Sequence, residues 1–278
     1  AALSSTPRLP RVGEAIELEE TRSFGPWWRA GRLRQLLRSL REPRSEAGFN
    51  YAAVNRPGRV LFAEKSESAN GVVQLNRHGA WVCLMTDDIE QGLAYFDPTT
   101  NKLAAEVLGY QYLRVMAAAA LGFWGLGSVG TARSEAPADP PRLLCVGLGT
   151  GALPGFLAHQ LDGASVEVVE IDRTIVRAAG VIGCEMLQGG IGATEEGARS
   201  SGFSVVLGDA AEHVGSLRGG ELSAIFVDAF DGNGETPSHL LQPPFLSECR
   251  EALAPSGVRL PALVQDSTHL CTPCHTAH

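Results

Sequence analysis

From Arg142 to Val264 the chain repeats one pattern: a short apolar run, a glycine- or acid-bearing stop, then a helix-forming stretch. The runs are RLLCVGLG (142–149), SVEVVEID (165–172), FSVVLGD (203–209), AIFVDAF (224–230) and VRLPALV (258–264). Helical stretches fall at about 152–161, 173–186, 210–217 and 238–254. Near-continuous apolar runs are what strands need when both of their faces are covered. Strands separated by helix-length connections pair in parallel through right-handed crossovers. The pattern therefore predicts a doubly wound, Rossmann-like α/β sheet. Pro261 lacks the N–H that a ladder needs, which places the fifth run at an edge.

In an open α/β sheet the ligand lies outside the carboxyl ends of the strands, so the stops carry the chemistry. The first is Gly147-Leu148-Gly149-Thr150-Gly151, between a strand and a helix, where glycine lets a ligand approach the backbone closely. The second is Glu170, a carboxylate placed to accept both hydroxyls of a ribose. The third is Gly208-Asp209, whose acid suits an adenine amino group, and the fourth runs from Asp228 to Asp231. Taken singly, each acid has an ordinary alternative as a solvated strand end or a helix N-cap. Together they describe an adenosine site. Gly147, Gly149 and Ala152 also satisfy the G-x-G-x-x-A of dinucleotide-binding folds. Asp209 and Asp228 have no role in that fingerprint, which puts a dehydrogenase last. A second glycine match, Gly125 to Gly130, lacks the flanking strand and helix that the motif requires.

Upstream, residues 1–58 read as a linker holding one basic amphipathic helix. Leu33, Leu36, Leu37 and Leu40 recur at helical spacing among Arg29, Arg32, Arg34, Arg38 and Arg41. A helix packed on the protein's own acidic body is the simpler reading; docking on a membrane surface or an acidic partner is the alternative. Residues 59–133 read as a small antiparallel β-domain followed by a connecting helix over 103–121. SEAPADPP (134–141) is a linker, 142–264 the nucleotide-binding unit with a loop at 188–202, and 265–278 a disordered tail.

Charge narrows the partners. Residues 1–59 carry 11 arginines against 6 glutamates, whereas the remainder holds 12 basic and 25 acidic residues. An acidic body argues against nucleic acid, which needs a basic surface. The six cysteines are scattered, three inside apolar runs, as buried thiols are in an intracellular protein. No apolar run reaches 18 residues, so no transmembrane helix is expected. The first residue is Ala, and Ala-Ala-Leu-Ser-Ser-Thr leaves a plastid or other organelle open, although the glutamates from Glu14 onward fit a presequence poorly. Cys271, Cys274 and His275 form a C-x-x-C-H match three residues from the end; without a surrounding domain it is read as tail, and no metal site is expected.

The segments LLCVGLGTGALPGFL, VEVVEIDRTIV, VVLGDAAEHV and IFVDAFDG, in this order, resemble the spermidine synthase-like branch of the class I S-adenosylmethionine-dependent methyltransferase fold. VLFAEKSESANGVVQLNRHGAWVCLMTDDIEQG is similar to that family's small N-terminal β-domain, and the likeness spans about residues 59–258. The resemblance implies that Gly147, Gly149, Thr150 and Gly151 line the methionine part of the cofactor, that Glu170 binds the ribose and that Asp209 binds the adenine. It further implies that Asp228 takes a proton from an attacking amine and that Asp231, Tyr110, Gln111 and Gln91 hold the amine. The cofactor would be S-adenosylmethionine or its decarboxylated form.

Two departures bear on which one. The family's aminopropyltransferases carry an Asp in the glycine loop, facing the bare amine of the decarboxylated cofactor. Here that position is the neutral Thr150, which removes an electrostatic barrier to the intact cofactor. In addition, Ala69 stands where the family has a glutamine. The leading expectation is therefore methyl transfer to an acceptor, small molecule or protein, that the sequence leaves unnamed. Aminopropyl transfer to a polyamine is the first alternative. A catalytically inactive interaction subunit is the second, with a homodimer or a partner protein as its assembly. The chain after Val264 also lacks the helix and antiparallel strand pair with which the fold continues, so the C-terminal edge of the sheet is expected to be short.

Overall fold

The computed structural model describes residues 58–261 apart from 70, 98, 101, 128–139, 162, 185–201, 218 and 232–233. The basic helix around Leu33–Leu40, the Cys271/Cys274/His275 tail and most of the 134–141 and 188–202 segments lie outside those residues.

Two five-stranded sheets make up the described chain. The first is antiparallel, in the order β1 (Arg59–Lys65), β2 (Val72–His78), β3 (Trp81–Thr86), β4 (Ile89–Asp97) and β5 (Lys102–Leu103). Tight turns set it up: His78 pairs with Trp81 around Gly79 at φ +65°, and Thr86 pairs with Ile89 around Asp87 at φ +50°. Gly79 suits that left-handed geometry because it has no Cβ, and Asp is among the few other residues that tolerate it.

The second sheet is wholly parallel. Its strands are β6 (Arg142–Val146), β7 (Ser165–Glu170), β8 (Ser204–Leu207), β9 (Leu222–Val227) and β10 (Leu253–Pro261), in the spatial order β10-β9-β6-β7-β8. Alternate residues of each strand face opposite cores. Leu143, Cys145, Val166, Val168, Ala224 and Phe226 pack with α1 (Gln111–Gly127) and α2 (Ala152–Gln160). Leu144, Val146, Val169, Ile225 and Val227 pack on the other face with α4 (Ala210–Ser216) and α5 (Pro243–Ala252). The near-continuous apolar runs follow from this double coverage. β10 pairs only with β9 among the described strands, and Pro261 lies opposite Val227 on that edge, where a missing N–H is tolerated.

Three element boundaries differ from expectation. The connecting helix begins at Gln111, not at 103, because Leu103 pairs with Phe96 as the end of β5 and Gly109 fits closely against Leu93 and Trp81. The helix after β7, α3 (Arg173–Val181), stops short of 186, and Gly183 follows at φ +69°. The 238–254 stretch is two elements, a one-turn 3-10 helix (Ser238–Leu241) and then α5. Pro243 and Pro244 cannot extend a preceding helix, yet they open a new one without loss because first-turn N–H groups have no partner anyway.

The antiparallel sheet is fastened to the parallel one at α3. Asp172 caps that helix by accepting the Thr174 N–H at 2.7 Å, and it also accepts the Ser66 hydroxyl and the Glu67 N–H from the first sheet. The Thr174 hydroxyl donates to the Lys65 carbonyl at 3.1 Å, and Arg177 pairs with Glu64 and Glu67. Burial alone would raise the Asp172 carboxyl, but the hydrogen bonds from Ser66, Thr174 and Glu67 outweigh it and hold the group below the ordinary carboxylate range.

Candidate active site

Ladder hydrogen bonds continue one residue beyond the strands and set the stops in a row. The Gly147 N–H donates to the Val169 carbonyl at 2.8 Å, the Gly208 N–H to Glu170 at 2.9 Å, and the Asp228 N–H to Val146 at 2.9 Å. Because β9, β6, β7 and β8 are neighbours, Asp228, Gly147, Glu170 and Gly208-Asp209 follow one another along the carboxyl edge. They border a cleft that also takes in Gln91, Ile171, Pro237 and His239.

The glycines are dictated by space. Gly147 has φ +97°, and a Cβ there would lie 2.2 Å from the Asp228 carbonyl oxygen. Gly149, at φ +53°, faces the Gln91 carbonyl, and Gly151, at φ +75°, abuts the Cys184 sulfur. The loop is therefore held between its own sheet and β4 of the other. Glu170 fixes it from below. Its Oε2 accepts the Leu148 N–H at 2.9 Å and its Oε1 accepts the Asp172 N–H at 2.8 Å. Each oxygen keeps a lone pair for a further donor. Glu170 is 5% exposed, and burial raises its carboxyl above the ordinary range despite those two N–H groups.

Asp228 occupies the other end of the cleft. Its Oδ1 is buried and has no partner, whereas the Tyr112 hydroxyl is hydrogen-bonded to its carboxylate. Burial pushes Asp228 up to about 6, with the Tyr112 hydroxyl acting in the opposite direction. A buried acceptor without a donor costs about 1–3 kcal/mol, so this carboxylate is arranged for a donor that arrives from the cleft. Tyr112 stacks on Tyr110, with ring centroids 5.3 Å apart, and the Tyr110 hydroxyl donates to Glu90. Burial raises both phenols far above their usual range, with Asp228 adding to the shift of Tyr112 and Glu90 to that of Tyr110. Both remain donors.

Of the residues expected from sequence, Gly147, Gly149, Glu170, Asp209, Asp228 and Gln91 border the cleft. Gln91 spans the two sheets, donating from Nε2 to the Asp231 carbonyl at 3.1 Å. Asp231 closes the turn beyond β9 by accepting the Glu235 N–H at 3.0 Å. Three positions differ from expectation. Gln111 is exposed at the start of α1. Tyr110 lies one ring behind Tyr112, and it is Tyr112 that reaches Asp228. Thr150 is 3% exposed and packs beneath Gly92 of β4, away from the cleft lining. Sequence reading missed Tyr112, Glu90 and His239, whose Nε2 stands 3.1 Å from Asp209 Oδ2. Tyr112 carried a signal, since it lies among the apolar positions of a helix leading into the site. Among the described residues no group of acids, cysteines and histidines is arranged to hold a metal ion, and no helix is long and apolar enough to cross a membrane.

Comparison with known proteins supports the fold. No family model matches the chain. It is 32% identical over 120 residues to a polyamine aminopropyltransferase of Chromobacterium violaceum, covering 43% of this chain and 41% of that protein. It is 31% identical over 121 residues to another from Vibrio vulnificus, covering 43% and 36%. The chain thus spans about two fifths of the length of these relatives. A probable spermidine synthase from Corynebacterium glutamicum superposes with a TM-score of 0.53 at 15% identity, over 72% of this chain and 62% of that one. The fold is the spermidine synthase-like form of the class I S-adenosylmethionine-dependent methyltransferase fold. Both relatives are aminopropyltransferases, so the expectation of methyl transfer gains no support from them, and the aminopropyl alternative fits better.

Proposed function

We propose that the chain binds the adenosyl moiety of decarboxylated S-adenosylmethionine and transfers its aminopropyl group to a polyamine or related small amine. The observation that carries this reading is the buried, unpartnered Oδ1 of Asp228 at the end of the cleft along the strand carboxyl ends. An amine is the donor that such a carboxylate lacks. The similarity to aminopropyltransferases points the same way.

The bound cofactor supplies a sulfonium whose adjacent carbon is open to in-line attack. The chain's own residues do the rest. Gly147 and Gly149 let the backbone come close, Glu170 accepts from the ribose hydroxyls, and Asp209 faces the adenine. Asp228, pushed up to about 6, is mostly ionised at neutral pH and accepts a proton from the attacking nitrogen. Tyr112 holds that carboxylate in place. Glu90, Asp231 and Asp228 add negative charge on the side from which a cationic amine would enter. Gln91 ties that side to the glycine loop. Most of the rate gain in such a displacement comes from orientation.

The test is to incubate the purified chain with a diamine and either cofactor, then analyse the products by mass spectrometry. Aminopropylated amine together with 5′-methylthioadenosine from the decarboxylated cofactor is the expected result. Methylated amine from the intact cofactor, with no 5′-methylthioadenosine from the decarboxylated one, would return the chain to the methyltransferases.

A further inference from the structure

At the Asp209 end of the cleft, one carboxylate oxygen meets a histidine. Asp209 is the N-cap of α4, and its Oδ1 is already engaged by the Ala211 N–H at 2.7 Å and the Glu212 N–H at 3.2 Å. That leaves Oδ2 to face the cleft, and the His239 imidazole occupies it with Nε2 at 3.1 Å. The two backbone bonds already fix the carboxylate, so the imidazole is not needed to orient it. His239 sits on the one-turn 3-10 helix, which Leu240, 3% exposed, anchors in the core. The His239 side chain itself is half exposed and can swing into solvent without disturbing that anchor.

We propose that His239 is a specificity-determining residue of the cofactor site: its imidazole competes with the 6-amino group of a bound adenosine for Oδ2 of Asp209. A ligand with a 6-amino donor displaces the imidazole and gives Oδ2 a hydrogen bond in place of that 3.1 Å contact. A 6-oxo purine carries an acceptor at that position, its nearest donor being the N1–H beside it, and leaves the histidine where it is. The contact therefore lowers affinity for every adenosine while setting a threshold that only an amino-bearing purine crosses. A half-exposed polar contact of this kind is worth little, so the competition changes binding by about two- to fivefold.

This inference rests on the reading of the cleft as an adenosine site, and two probes keep the two apart. Calorimetry with 5′-methylthioadenosine and with its 6-oxo counterpart, 5′-methylthioinosine, is run on the full chain and on His239→Ala and His239→Gln. The expected result is that His239→Ala binds 5′-methylthioadenosine about two- to fivefold more tightly, with no gain for the 6-oxo nucleoside. In the unsubstituted chain, the His239 ring resonances should shift on adding the amino nucleoside and stay in place with the oxo one. Unchanged or weaker binding of 5′-methylthioadenosine by both variants, with melting temperatures preserved, overturns the role of His239 and leaves the adenosine site standing. An equal gain for both nucleosides also overturns it, since the imidazole would then be a mere steric obstacle. No binding of either nucleoside to any of the three proteins overturns the adenosine site and this inference with it.

Discussion

The α-carbon of Gly147 rests against the backbone carbonyl of Asp228, so closely that a β-carbon would come within 2.2 Å of its oxygen. The glycine loop and the carboxyl end of β9 are thus in direct contact. Gly147→Ala must push Asp228 away and also hold alanine at φ +97°. We expect a loss of at least about 2 kcal/mol in urea unfolding and loss of 5′-methylthioadenosine binding by calorimetry.

Asp228→Asn separates charge from shape. Because the folded carboxyl is raised to about 6, its contribution to stability is present below the unfolded value and is lost as pH rises through 6. The variant should match the parent near pH 4 and exceed it at pH 7.5 by on the order of 2 kcal/mol. Transfer activity should fall at least about 100-fold with nucleoside affinity retained. Denaturation at the two pH values and product assays check both parts.

Tyr112→Phe removes the hydrogen bond that holds Asp228 down. The acid limb of kcat/KM should move upward by about one pH unit, so that the loss is greater at pH 6.5 than at pH 8. An unmoved limb would show that Tyr112 does not tune this carboxylate.

Thr150 is neutral and packs under Gly92, and no other residue from Gly147 to Gly151 is charged, so the glycine loop turns no negative side chain on the intact cofactor's carboxylate. Competition binding should find the intact and decarboxylated forms within about tenfold of each other. A much stronger preference for the decarboxylated form would assign the discrimination to Glu90, Asp228 or Asp231.

Asp172 has a depressed carboxyl, so the opposite sign applies. Its contribution is full above the unfolded value and fades as pH falls through the folded one. Asp172→Ala should cost on the order of 2 kcal/mol at pH 7, with the gap to the parent narrowing toward pH 3. Urea unfolding across that range is the measurement.

The parallel sheet was legible because double coverage forces long apolar runs, and Glu170, Asp209 and Asp228 were legible because each stands where such a run stops. Helix starts were less so. Leu103 is a good helix former, yet Phe96 claims it as a strand partner, a long-range preference that local propensity does not contain. Tyr110-Gln111 drew attention as a motif, but the helical turn beginning at Gln111 sends that residue to solvent and brings Tyr112 to Asp228. His239 had no periodic pattern to announce it, since a one-turn helix between Pro237 and Pro243 is too short to have one. Thr150 stood in the right place in the chain, but its burial depends on a glycine 58 positions upstream that no local reading would connect to it.

That last contact has a consequence for how the protein can change over generations. A Cβ at position 92 would lie 2.9 Å from the Thr150 nitrogen and 3.0 Å from its methyl group, so the two positions share one volume. The nearer of the two atoms is main chain, so residue 92 cannot enlarge, whatever side chain stands at 150, unless β4 and the glycine loop separate. Glycine at 92 is therefore held by the main chain of the glycine loop, and the shape of β4 is inherited with the path of that loop rather than with the side chain it carries at 150.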